Sequence, residues 1–293
     1  SPWNYAFNLT FNPMISAIAA GNTVIIKPSE HSPNMSKVIE KIITDSFESK
    51  HVSIFQGDSS VAEHLTNMPF DHIFFTGSPE IGKHVMSAAA KNLSSVTLEL
   101  GGKSPVVIHE SADLEKAADA IVFSKFLNNG QTCIAPDYIL VQNAVSDKFL
   151  EQIKRSISKQ FGEDDQMINN GDYGRLVTNA HYGRVNSLLN ESLKDGADVV
   201  IGGVTDQADK YISPTVIRNV KPDSAIMNNE IFGPLLPIVQ FEDINEAIAL
   251  INSKPKPLAL YLFGSESSVM DNIIKSTSSG DACINQCAVH FLH

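Results

Sequence analysis

At 293 residues, 43% hydrophobic and 19% charged, the chain has the composition of an ordinary soluble globular protein, long enough for two domains. Its net charge of −11, with 33 acidic against 22 basic residues and no Lys/Arg cluster, argues against nucleic-acid or anionic-membrane partners. Three cysteines make no disulfide framework and no apolar run reaches membrane-spanning length, so a reducing, cytoplasmic setting is expected.

The elements alternate from the start. Asn12-Pro13 reads as the cap and first position of a helix that Gly21 closes. Thr23–Lys27 is a buried-strand run, Pro33 to about Phe47 has helical spacing, Val52–Phe55 is the next strand, and Ser60–Thr66 a short helix. His72–Phe75 follows as a strand, and Ser78-Pro79-Glu80 starts a helix with a cap, a proline at the first position and an acid in the first turn. Val96–Leu100 and Pro105–Ile108 are strands. This repeated β-α-β order predicts a parallel, doubly wound sheet.

Beyond a boundary near Gly101-Gly102 the theme repeats less regularly. Helices are expected at Asp113–Phe126, Val145–Phe161, Ala180–Leu193 and Ile244–Asn252. Strands are expected in YILVQ, TVIRNV, LLPIVQF and LALYLF.

Three phrases carry chemistry. Gly77-x4-Gly82-Lys83 joins a strand to a helix N-terminus, where backbone N–H groups and the helix dipole favour phosphate. A Walker A loop needs Ser or Thr where His84 stands, and no acidic Walker B strand end accompanies it. The segment alone supports either a phosphate site or a plain packing turn.

In LNNGQTCIAPDY, Cys133 follows what reads as a flexible polar loop, a setting that suits a catalytic thiol as well as a small buried hydrophobe. Glu99 in VTLELGGKSP lies in an apolar strand, where partial desolvation would raise its pKa toward that of a general base; a strand-end ion pair is the plainer alternative. Cys283 and Cys287 read as buried apolar residues. The nine scattered histidines and the absence of H-E-x-x-H or paired C-x-x-C argue against a metal site.

PWNYAF, AGNTVIIKPSE, FTGSPEIG, TLELGGKSP, NNGQTCIAPDY and NEIFGPLLPIV occur in this order in NAD(P)-dependent aldehyde dehydrogenases, and over essentially its whole length the chain resembles them. IAPDYIL, YISPTV and KPLALYLF resemble the class 3 type, which oxidises aromatic and medium- to long-chain aliphatic aldehydes. The resemblance implies a Rossmann-like cofactor domain over residues 1–100 and a second α/β catalytic domain over 101–293. It makes Cys133 the nucleophile, Glu99 the base that activates water on a thioester, and the Asn4 amide a donor to the oxyanion. The implied NAD or NADP contacts are Trp3, Lys27, Glu30, Gly57, Gly77, Ser78, Ile81, Gly82, Glu230 and Phe232, with no metal.

Lys83 then falls inside the helix, without a phosphate role. Ala6 stands where the class 3 pattern has Pro. The chain opens on SPWNYAF without Met and closes on AVHFLH, and both ends read as cuts through a longer, homodimeric parent. Two other functions compete: a CoA-acylating enzyme, which Glu99 argues against, and a truncated, catalytically silent homologue acting in binding or assembly.

Overall fold

The computed structural model describes residues 1–163 and 166–289. The chain divides into two compact units, Ser1–Leu100 and Gly101 onward.

The first unit runs α1 (Asn8–Ala19), β1 (Val24–Ile26), α2 (Pro33–Ser46), β2 (Val52–Ile54), α3 (Ser59–Thr66), β3 (His72–Gly77), α4 (Pro79–Ala90) and β4 (Ser95–Leu100). Helix α1 starts a turn earlier than Asn12-Pro13 implied. The Leu9 N–H bonds Tyr5 O at 3.0 Å, Thr10 Oγ1 bonds Ala6 O at 2.6 Å, and the Phe7 and Phe11 rings pack at 4.5 Å. Pro13 therefore sits inside the helix, where it forgoes only the bond its missing N–H would make to Leu9 O. Helix α4 starts as its sequence predicts: Ser78 Oγ accepts the Ile81 N–H at 3.4 Å and Pro79 occupies the first turn.

The strands form two separate parallel pairs, β1 with β2 and β3 with β4, among the described residues. Phe11, Met14, Ile26, Ile39, Ile43 and Val52 make the core around the first pair. In the second pair Thr76 lies beside Glu99 and Phe74 beside Thr97. The period-2 alternation puts these side chains on one face, and Phe74 and Glu99 on it are exposed.

The second unit contains β5 (Pro105–Ile108), α5 (Leu114–Phe126), β6 (Tyr138–Gln142), α6 (Ser146–Phe161), α7 (Asn179–Lys194), β7 (Asp198–Ile201), β8 (Thr205–Asp206), β9 (Tyr211–Ile212) and β10 (Thr215–Arg218). It continues with α8 (Ala225–Asn228), β11 (Leu235–Phe241), α9 (Ile244–Asn252), β12 (Ala259–Phe263), α10 (Ser267–Ser276) and β13 (Asp281–Ile284). Seven strands form a mixed sheet in the order β13-β12-β5-β6-β11-β10-β7, parallel throughout except for antiparallel β7 against β10.

Strands β5 and β12 are buried along their length, which explains their unbroken apolar spelling. Val106, Ile108, Ile139 and Val141 face α5 and α6, whereas Val107, Tyr138 and Leu140 face the core built with α7, α9 and α10. This layering starts the adjacent parallel strands β5, β6 and β11 at one end of the sheet. The segments entering them, at Lys103, Asp137 and Gly233-Pro234, therefore converge there.

Among the described residues no helix is long and apolar enough to cross a membrane, and no cluster of His, Cys, Asp or Glu could hold a metal ion.

Candidate active site

In the first unit, Lys27 leaves β1 and its ammonium meets the Glu30 carboxylate at 2.6 Å. Burial, the largest single influence, opposes ionisation of Glu30, but the Lys27 bond, a backbone hydrogen bond and the Lys27 and His31 charges together hold the carboxyl below the usual range. Glu30 and Gly57 line one cleft of about 170 Å³, together with Pro28, Ser29, Pro33, Ser36 and Gln56. Gly57 has φ +151°, and a Cβ there would run into Val61. Two expected cofactor contacts thus share one concavity with an ion pair at its rim.

Gly77 ends β3, and Ser78 and Ile81 are exposed on the first turn of α4, where the leading N–H groups have no intrahelical acceptor. Gly82 differs from its expected role. It is buried, its N–H is bonded to Ser78 O at 2.9 Å, and a Cβ would lie 2.9 Å from Leu100 Cδ2. Its missing side chain lets α4 close on β4, so the packing reading holds for this glycine.

Asn4 is buried and Trp3 half-buried in the segment leading to α1, beside Tyr5 at φ 46°. Glu99 is exposed rather than partly desolvated. It projects from the open face of the β3–β4 pair, while the apolar neighbours that suggested burial, Leu98 and Leu100, point the other way.

In the second unit, Cys133 occupies the corner of a turn closed by the Ala135 N–H on Thr132 O at 3.0 Å. The preceding loop is not flexible. Asn128, Asn129 and Gly130 are left-handed, at φ 50°, 58° and 72°, and side chains fix them there. Asn129 Nδ2 donates to Gly174 O at 3.0 Å. Gln131 Nε2 donates to Asn128 O at 3.0 Å and Arg175 O at 3.1 Å, while its Oε1 accepts the Val177 N–H at 2.9 Å. Asn129, Gln131 and Thr132 are buried, yet Cys133 keeps partial exposure. A rigid loop presenting one accessible thiol is what a positioned nucleophile needs. Cys283 and Cys287 are buried.

The NEIFGP segment forms an irregular loop between α8 and β11, with Phe232 at φ 43°. The Glu230 carboxylate lies against Gly101, where a Cβ would overlap it, and accepts the Gly102 N–H. Burial, then the nearby Asp137 charge, pushes Glu230 up to about 7, against the Gly102 bond and the Arg184 and Lys103 charges.

Sequence reasoning missed the charges around this loop. Lys103 and Asp137 are ion-paired and almost fully buried. Lys125 of α5 is pushed down to about 8 by burial, partly offset by Asp137 and Glu230. The signal was present: a lysine two residues before the buried strand PVVI and an aspartate directly before YILVQ each require a partner.

The donor and acceptor set fits a dinucleotide chemically. The carboxylates of Glu30 and Glu230 can accept from ribose hydroxyls, and the α4 N-terminus can face phosphate. A mixed, layered α/β unit with an accessible cysteine beside a carboxylate-bearing loop, joined to a smaller unit with parallel β-α-β pairs, makes a two-unit α/β protein.

Comparison with known proteins narrows that class. The aldehyde dehydrogenase family model matches residues 1–291, and the chain belongs to this family. It is 47% identical over 290 residues to AldX of Bacillus subtilis (strain 168), covering 99% of this chain and 65% of that protein. It is 43% identical to the dimeric NADP-preferring aldehyde dehydrogenase of Mus musculus, covering 98% of this chain and 62% of the relative. The solved substrate-bound state of Staphylococcus aureus AldH superposes with a TM-score of 0.96 at 44% identity, over 100% of this chain and 63% of that one. The chain thus spans less than two thirds of the length of each of these relatives.

Proposed function

We propose that the protein containing this chain oxidises an aromatic or medium- to long-chain aliphatic aldehyde to the carboxylic acid with NAD⁺ or NADP⁺. The observation that carries the reading is the rigid, hydrogen-bonded loop that leaves Cys133 as its accessible thiol, within a chain of the aldehyde dehydrogenase family.

In this reading the Cys133 thiolate attacks the carbonyl carbon. The Asn4 amide and the Cys133 backbone N–H donate to the oxyanion, neutral donors that stabilise charge without quenching the thiolate. The carbonyl hydrogen departs with its electron pair and leaves Cys133 as a thioester. The nicotinamide, when bound, supplies the acceptor for that pair. Glu99 then takes a proton from water, the hydroxide adds to the thioester, and the acid leaves as Cys133 returns to thiolate. Glu99 is exposed, so water in contact with it can carry the proton away.

Residues 1–100 serve as the cofactor domain, with Lys27, Glu30 and Gly57 toward the adenosine ribose, Gly77, Ser78 and Ile81 toward the pyrophosphate, and Trp3 nearby. Glu230 and Phe232 place the nicotinamide ribose and ring. The resemblance to the class 3 type and to a dimeric relative supports a homodimer, and the three free thiols support a cytoplasmic setting.

The test is turnover of the purified whole protein with NAD⁺ or NADP⁺ and a panel of aldehydes, read as absorbance of reduced nicotinamide. Cys133→Ala must abolish the signal while cofactor binding persists. Activity that survives this change sinks the mechanism, and activity that depends on added CoA reassigns the acyl acceptor.

A further inference from the structure

The backbone of the Glu230 loop is held from three directions by side chains. Lys103 Nζ donates to Ile226 O at 2.8 Å and Asn229 O at 3.0 Å while ion-paired to Asp137. The other Asp137 oxygen, Oδ1, accepts the Ile231 N–H at 2.9 Å. Arg184, from α7, donates to Glu230 O at 3.1 Å and Ile231 O at 2.6 Å. Five bonds therefore end on main-chain atoms of Ile226 and Asn229–Ile231, a stretch that ends in an irregular loop and the left-handed Phe232.

The anchors are stiff. Lys103 and Asp137 are 6% and 3% exposed, and the Lys103 ammonium also lies 5.5 Å from the Tyr138 ring centre. A buried pair whose remaining side-chain hydrogen bonds go to this loop and to the short helix that enters it cannot relax without moving them. Asp137 also belongs to the Cys133–Tyr138 segment, so the nucleophile's own strand entry supplies one anchor. The Glu230 carboxylate, in turn, is seated against the Gly101 backbone, where no side chain fits.

We infer that Lys103, Asp137 and Arg184 are positioning residues that jointly hold the Glu230–Phe232 loop in the conformation that presents the Glu230 carboxylate. The inference rests on Glu230 as a ligand of the cofactor ribose. In the whole protein, Asp137→Asn and Arg184→Met weaken NAD⁺ and NADP⁺ binding about tenfold by direct titration. Both speed amide exchange at Ile231 in the cofactor-free protein, and Arg184→Lys recovers most of the loss. Added to Glu230→Gln, Arg184→Met costs less than about twofold further, because the clamp acts through that carboxylate.

If Asp137→Asn does not fold, Arg184→Met decides alone, since Arg184 is exposed. A folded Arg184→Met protein with wild-type exchange at Ile231, or with an affinity loss that adds in full to that of Glu230→Gln, overturns the inference. If Glu230→Gln itself leaves cofactor affinity unchanged, the role of Glu230 fails. Slowed or unchanged exchange at Ile231 then overturns the clamp, and accelerated exchange upholds it as a device for the loop alone.

Discussion

Gly130 packs against Gly233 so closely that a Cβ on Gly130 would overlap the Gly233 carbonyl and come within 3.2 Å of its Cα. One glycine lies in the loop before Cys133 and the other in the loop after Phe232, so the two loops meet backbone to backbone. Gly130 also has φ +72°, which a side chain disfavours independently of the overlap. Gly130→Ala is expected to destabilise the fold by about 2–4 kcal/mol. The midpoint of urea unfolding checks this, and turnover should fall in the same variant because Cys133 shifts with its loop.

The Lys27–Glu30 pair makes a prediction about cofactor choice. A carboxylate held below the usual range is ionised at every working pH and repels a 2′-phosphate, while its bond at 2.6 Å occupies the Lys27 ammonium. Glu30→Gln removes the repulsion and frees Lys27. The ratio of kcat/KM for NADP⁺ over NAD⁺ should rise about tenfold. An unchanged ratio would place the adenosine end elsewhere.

Glu230 sets a pH dependence. In the proposed role its carboxyl must be ionised to accept bonds from ribose hydroxyls without donating, and burial raises it to about 7. The KM for cofactor should therefore fall about tenfold as pH rises from about 6 to 8, and Glu230→Gln should flatten the profile. Stability runs the other way. Between the usual 4.5 and about 7 the folded state binds the proton that the unfolded chain has lost, so stability falls as pH rises through that window. Lys125, lowered from 10.5 to about 8, has the opposite sign: the unfolded chain holds more protons there, and stability rises between those values. Urea midpoints across pH for wild type and Glu230→Gln separate the two contributions.

How much was legible follows the range of each interaction. Ser78-Pro79-Glu80 specified a helix start because a cap, a proline and a first-turn acid are all local. Strands β5, β6 and β11 were legible because burial on both faces leaves unbroken apolar runs. Strand β7, helix α10 and strand β13 were not, since each is short or mixes polar and apolar residues without a clear period. The loop before Cys133 looked flexible because Asn and Gly dominate it. Gln131 and Asn129 instead bond residues 44 to 46 positions away. Glu99 was misjudged because apolar neighbours in a strand occupy the opposite face. Lys103 and Asp137, 34 positions apart, could be suspected singly from burial, but only the strand order β5-β6-β11 makes them a pair.

The three cysteines should differ sharply toward an alkylating agent. Cys287 is buried, with its thiol pushed well above the usual range by that burial and by Cys283, against a bond with Ser124. Cys283 is also buried and raised, by burial first and then by the Asp281 charge. Since the thiolate is the reacting species, both should resist iodoacetamide at neutral pH. Cys133, partly exposed at its turn, should be labelled. Peptide mapping by mass spectrometry after brief treatment should recover the modification on Cys133, with loss of turnover in proportion to its labelling. Saturating NAD⁺ alone should leave labelling of Cys283 and Cys287 unchanged, because both belong to the packed core beneath the sheet rather than to the cofactor surface. Equal labelling of all three thiols in the folded protein would mean that the core around α5 and β12 opens far more readily than its burial implies.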